Sequence, residues 1–163
     1  MLQMKSLSDK QSAEYFNRLY KTVDGLWFMK VEESYGFTAA LQIDKEVWKV
    51  MPKIQARLVK SMLNLNKDAS GLLESLETKL ALEGFRFAVK KIEDGFCIQI
   101  SDCPWHNLML KSGREGISEK VGATICGVEY CVWASEFDEN IHFTLADQKC
   151  KGSEFCILNF NMC

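Results

Sequence analysis

No cysteine precedes Cys97 and no histidine precedes His106. A thiol or imidazole metal centre is therefore excluded from the N-terminal half, because zinc and iron sites draw on those side chains. Proline occurs only twice, so no Pro-rich linker divides the chain. No stretch reaches the ~18 uninterrupted apolar residues of a bilayer span. The opening residues, MLQMKSLSDKQSAEYF, lack the basic start, apolar run and small-residue cleavage site of a secretory signal. A formal net charge of -2 leaves no basic footprint, so nucleic acid and membranes are not expected partners. These absences predict one cytoplasmic domain over residues 1–163, with 47% hydrophobic residues to build a core.

What is present changes its hydrophobic period along the chain. Ser8 with Gln11 three residues later reads as a capping box. Ala13, Phe16, Tyr20, Val23 and Trp27 then recur at helical spacing. A bend is expected near Gly25 and an end at Gly36. A second helix is predicted after Asp44, with Val47, Met51, Ile54, Leu58 and Met62 as its core stripe. Lys45, Lys49, Lys53, Arg57 and Lys60 form its solvated face, and Pro52 is early enough to be tolerated. Asp68 caps a third helix that Gly84 ends. From Phe85 the period drops to two, Asp94-Gly95 marks a tight turn, and Phe96 to Ile100 returns as a second strand. Residues 104–112 and 115–135 read as helices, and 141–146 and 155–160 as another strand pair. The expected fold is α+β: a helical part over 8–84, then a mixed part over 85–163 with two hairpins forming an antiparallel sheet backed by helices.

All seven cysteines lie from residue 97 onward, together with both histidines. Reduced thiols in such number point to metal binding or catalysis rather than disulfides, and seven cannot all pair within one chain. Cys103 and His106 stand three apart at a strand-to-helix junction. Cys126 lies in the long helix, and Cys150 and Cys156 flank a short turn into the last strand. Four soft ligands, with His106 as a substitute for one, suit tetrahedral zinc; four thiolates suit an iron–sulfur cluster. Against this, buried cysteines also serve as small apolar groups, and no C-x2-C pair is present. Cys97 belongs to an apolar strand, and Cys163 is terminal. Cys131 diverges from Cys126 by about 140° on a helix. His142 reads as a partly exposed strand residue.

The same residues allow catalysis. Cys103 is a candidate nucleophile beside His106 as base, with the following helix start favouring the thiolate. Glu129, three residues after Cys126, is a candidate proton carrier. Arg114 offers a planar fork for a carboxylate substrate, and Trp105 and Trp133 are candidate pocket walls.

A family resemblance enters through the stretch Gly25-Leu26-Trp27-Phe28-Met29-Lys30-Val31-Glu32-Glu33, then Tyr35-Gly36-Phe37 and Asp44-Lys45-Glu46-Val47-Trp48. It resembles a prokaryotic family similar to the L-2-amino-thiazoline-4-carboxylate hydrolase-like proteins. Cys103-Pro104-Trp105, Cys126 and the Cys150 to Cys156 step resemble the same group and, more distantly, the 4-vinyl reductase domain. That domain shares its fold with haem–nitric-oxide-binding and vesicle-tethering proteins. The resemblance covers roughly residues 14–160. It implies helices against an antiparallel sheet, a pocket for a small molecule or metal, and a homodimer.

Three functional expectations follow. The first is a small-molecule- or metal-binding domain, a sensor or accessory protein, using Cys103, Cys126, Cys150 and Cys156. The alternative is a hydrolase of a small cyclic amide or thiazoline carboxylic acid using Cys103, His106, Glu129 and Arg114. The third is an interaction module whose basic stripe at Lys49, Lys53 and Arg57 meets an acidic surface.

Overall fold

The computed structural model describes residues 6–162. Six α-helices and four strands follow in the order α1 (Asp9–Tyr35), α2 (Phe37–Trp48), α3 (Met51–Leu63), α4 (Ala69–Glu83), β1 (Arg86–Ile92), β2 (Gly95–Asp102), α5 (Pro104–Lys111), α6 (Glu115–Ser135), β3 (Ile141–Asp147) and β4 (Cys156–Met162), among the described residues. The α+β class is as the sequence predicts. The chain divides into two compact units, one ending at Gln42 and the other beginning at Ile43, and the change from helices to mixed structure after α4 falls inside the second unit. Among the described residues no helix is long and apolar enough to cross a membrane.

The first unit is dominated by α1. Ser8 accepts from the Gln11 backbone N–H, and the Gln11 side chain accepts from the Ser8 backbone in return, closing the capping box. The helix runs straight through Gly25 without the expected break and ends at Gly36, whose φ of 84° is open to glycine. Phe28 meets Phe37 edge-on, 6.0 Å between ring centroids. No residue of α1 is buried.

The second unit holds the sheet. The expected single helix after Asp44 is two: α2 closes at Trp48 and α3 opens at Met51, with Pro52 in its first turn, where a missing N–H costs nothing. That restart turns the expected stripe outward. Val47, Ile54, Leu58 and Met62 are 50–73% exposed, while Pro52 and Ala56 carry the buried face. The basic face is engaged too: Arg57 grips Glu136 through two hydrogen bonds of 2.7 and 2.9 Å, and Lys60 donates to the Glu136 carbonyl at 2.9 Å. The Arg57 hydrogen bond, against some loss of solvation, holds the Glu136 carboxyl below its ordinary range. Asp68 caps α4 through the Gly71 N–H at 2.8 Å, and Gly84 ends it in the left-handed region.

The four strands pair in the order β1-β2-β4-β3, every pair antiparallel. Alternation assigns the faces: Phe96, Ile98 and Ile100 of β2 and Leu158 and Phe160 of β4 turn inward. They meet Leu72, Leu76 and Leu80 of α4 and Tyr130, Trp133 and Ala134 of α6 in one core. Cys97 lies on the other face of the sheet and is only partly covered, so it is not a core residue as expected. His142 is exposed on that face. Cys163 lies outside the described residues.

Candidate functional site

The register of the sheet decides which thiols meet. Cys156 opens β4 opposite Ile100, on the core side shared by Leu158 and Phe160. Three residues beyond Ile100 the chain leaves β2 at Cys103, which becomes the N-cap of α5. Its thiol accepts from the His106 N–H at 3.5 Å, the role a serine usually takes. Cys103, Cys126 and Cys156 all pack against the same hydrophobic core.

Cys150 arrives on a 3-10 turn, Lys149–Lys151, between β3 and β4. That turn is docked on α6 at Gly122. The buried Gln148 side chain donates Nε2–H to the Gly122 carbonyl at 3.1 Å. The Cys150 sulfur fills the space a side chain would need, since a Cβ at Gly122 would stand 2.8 Å from Cys150 Sγ. Gly122 and Cys126 are four residues apart on one face of α6, so Cys150 lies about one turn from Cys126. The Cys156 sulfur accepts from the Lys149 backbone N–H at 3.3 Å, tying this turn to the last strand.

Burial dominates the titration of all four thiols, and only Cys126 is influenced by all of the other three. Burial pushes Cys126 well above the ordinary thiol range, and the charges of Glu129, Cys103, Cys156 and Cys150 push it further. Burial raises Cys103 to about 11, with Cys156 adding to the shift and the His106 N–H opposing it. Burial also raises Cys150, with Cys156 adding, and Cys156 itself. All four are held as neutral thiols at pH 7. Among the described residues, no group of three or more His, Cys, Asp or Glu side chains is already arranged to hold a metal ion.

A buried charge cluster joins the sequence candidates Glu129 and Trp105 to Lys79 and Glu83, which sequence reading missed. Lys79 of α4 is 3% exposed, and its ammonium pairs with Glu129 at 2.6 Å and Glu83 at 3.3 Å. It also stands 5.4–5.7 Å from the ring centroids of Phe85, Tyr130 and Trp133. Trp105 Nε1–H donates to Glu83 at 3.1 Å and packs edge-on to Trp48. The cluster reaches the thiols from two sides: the Lys79 charge favours the Cys103 thiolate and the Glu129 charge opposes that of Cys126. Its signal was available. Lys79 and Glu83 continue the helical stripe of Leu72, Ser75, Leu76 and Leu80, so a charged pair falls where a core position should be.

The remaining candidates are placed as follows. His106 Nδ1 lies 2.8 Å from Ser118 Oγ on α6, and burial with the nearby Lys149 charge lowers its pKa, which keeps the imidazole neutral at pH 7. Trp133 is fully buried with Nε1–H donating to Ser75 at 3.0 Å, so it is a core anchor rather than a pocket wall. Arg114 sits at the N-cap of α6, partly exposed. Cys131 is exposed and takes no part.

The fold and the site define a class: an α+β domain with reduced thiols gathered between a long helix and the end of an antiparallel sheet. Residues 7–162 match the model of a family of unknown function, DUF6125, and the chain belongs to that family. No curated protein and no solved structure matches it.

Proposed function

We propose that the chain is a metal-binding domain, a sensor or accessory protein, whose ligand is a thiophilic cation held by Cys103, Cys126, Cys150 and Cys156, with His106 as the reserve donor. The observation that supports this best is the packing of Cys103, Cys126 and Cys156 against one core, with Cys150 set on Gly122, one helical turn from Cys126. Such a group resists ionisation by itself, yet a bound cation replaces its protons and supplies the positive charge it lacks. Zinc or an iron–sulfur cluster fits a four-sulfur set, and neutral His106 is in the protonation state a metal accepts. Binding would lock the turn bearing Cys150 to α6 and β4, which is how occupancy would be signalled.

Protein purified without oxygen should carry about one zinc or one cluster per chain, as a single tetrahedral site requires. A Cys126→Ser/Cys156→Ser variant should lose it. Apo-protein titrated with cobalt(II) should develop thiolate charge-transfer absorption and release protons. Protein that holds neither zinc nor iron, and takes up neither zinc nor cobalt, would end this reading. A Cys103 hydrolase has less support: burial holds its thiol at about 11, and the His106 ring is engaged by Ser118. One thiol alkylated far faster than the others at pH 7 would revive it.

A further inference from the structure

Helix α1 leaves its apolar stripe exposed. On a surface helix the apolar stripe faces the fold and the charged face meets water. Here Phe16, Leu19, Val23 and Leu26 are 42–67% exposed, flanked by exposed Tyr15, Trp27 and Met29. Asn17, Lys21, Asp24, Phe28 and Val31, on the other side of the helix, are half-buried, as are Ser12, Tyr20, Gly25 and Glu32. Burial pushes the Asp24 carboxyl up to about 6.

We propose that α1 is a dimerisation helix, pairing its exposed seam with α1 of a second copy of this chain in antiparallel orientation. Three features specify that occupant. The seam Phe16, Leu19, Val23, Leu26 has spacings of three, four and three residues, the alternation of a coiled-coil interface. That order reads the same in both directions, so a two-fold axis sets Phe16 against Leu26 of the partner subunit and Leu19 against Val23 of the partner subunit. One surface patch therefore complements itself, as an isologous contact demands. The area is also right. Seven large apolar side chains, each 40–69% exposed, offer on the order of 600–700 Å² per copy, against the roughly 800 Å² per partner of a standard interface. Charge argues against a lipid surface: α1 carries five acidic residues against four basic ones, without the cationic face of a membrane-bound helix.

The test uses the full chain. Sedimentation equilibrium should give a dimer at micromolar concentration, and dilution should dissociate it. Trp27 is 69% exposed in the single chain, so its iodide quenching should rise in step with dissociation. A Trp27→Phe variant identifies that component of the fluorescence. A Leu19→Glu/Val23→Glu variant should raise the dissociation constant by roughly 100-fold or more, since it buries carboxylates without partners. Arg18→Ala, off the seam, should leave it unchanged. The dilution experiment needs no substitution, so a variant that fails to fold leaves the proposal testable. A wild-type chain that stays monomeric at ~100 µM, a dimer unaffected by the two glutamates, or one whose Trp27 stays equally quenchable throughout would overturn it. Sedimentation of monomeric protein with anionic vesicles would assign the seam to membrane instead.

Discussion

Helices α1 and α6 are made by opposite means. The 27 residues of α1 close a capping box at Ser8 and add surface pairs between Arg18 and Glu14 at 2.6 Å and Lys30 and Glu33 at 2.7 Å, yet none of them is fully buried. The 21 residues of α6 have no side-chain cap and contain Gly116, Gly122 and Gly127, each costing about 0.5–1 kcal/mol in helix stability. What holds α6 is tertiary: Ile125, Tyr130, Trp133 and Ala134 are in the core, and Glu129 is ion-paired inside it. The helix with good local chemistry has its apolar face exposed. The helix with poor local chemistry is imposed by the core and carries the thiol site. Damage near α6 should therefore unfold the second unit, and damage in α1 should be felt locally or in assembly.

The largest effect should come from Lys79→Met. It leaves two buried carboxylates facing each other without their cation, a loss of about 3–5 kcal/mol. Urea denaturation followed by far-UV circular dichroism should show it. Adding Glu83→Gln and Glu129→Gln should recover most of the loss, because the charges then leave together. A triple variant as unstable as the single one would show that the ammonium acts through packing against Phe85, Tyr130 and Trp133.

Gly122→Ala should come next. Alanine favours a helix over glycine by about 1 kcal/mol, so a helix governed by local propensity would be stabilised. Instead the new methyl meets Cys150 Sγ at 2.8 Å, and overpacking of this kind costs about 1–3 kcal/mol. Net destabilisation is expected, reversed when Cys150→Ala is added. A more stable single variant would show that the 3-10 turn yields readily, and would weaken the contrast between the helices.

Alkaline pH should separate the helices again. The folded state raises the thiols of Cys103, Cys126, Cys150 and Cys156 above their ordinary value of 9.0, Cys103 to about 11. The folded chain thus binds more protons than the unfolded one across that window. Stability contributed by the protonated thiols is complete below pH 9.0 and is lost as pH rises through about 11. For Cys103 alone the loss is roughly 3 kcal/mol. Melting temperatures between about pH 8 and 11 should fall, and Cys103→Ser should flatten the slope. A bound metal would abolish it by fixing the thiolates, which connects this measurement to the proposed function.

The legible parts of the fold were those written in local chemistry. Ser8, Asp68, Gly36 and Gly84 mark helix ends, and Asp94-Gly95 marks the hairpin, because caps and turns are decided within a few residues. The sequence places Cys103 at a strand-to-helix joint, Cys126 on the long helix and Cys150 and Cys156 about the turn into the last strand, and the elements fall as those positions predict. The direction of the apolar stripes was not. Periodicity says that Val47, Ile54, Leu58 and Met62 share a face, but the restart at Met51 and the small Ala56 decide which face is covered. The Lys79 cluster escaped for a related reason. A charged pair four residues apart reads as a surface pair until its neighbours on the stripe are shown to be core.

The smallest effect is the sharpest probe of α1. Ser8→Ala removes the side-chain oxygen that accepts the Gln11 N–H, and typical caps contribute about 1 kcal/mol. The loss should be confined to the first turn, since helix ends open with free energies far below that of the whole domain. Hydrogen exchange should speed up for the amides from Asp9 to Ser12 and stay unchanged across α6. If the seam is covered by a second copy, the next turns from Glu14 onward should keep their protection at high protein concentration and lose it on dilution. Protection of Phe16 to Leu26 that ignores both the cap and the concentration would mean that α1 is held by something other than local chemistry and self-association, and the contrast with α6 would fail.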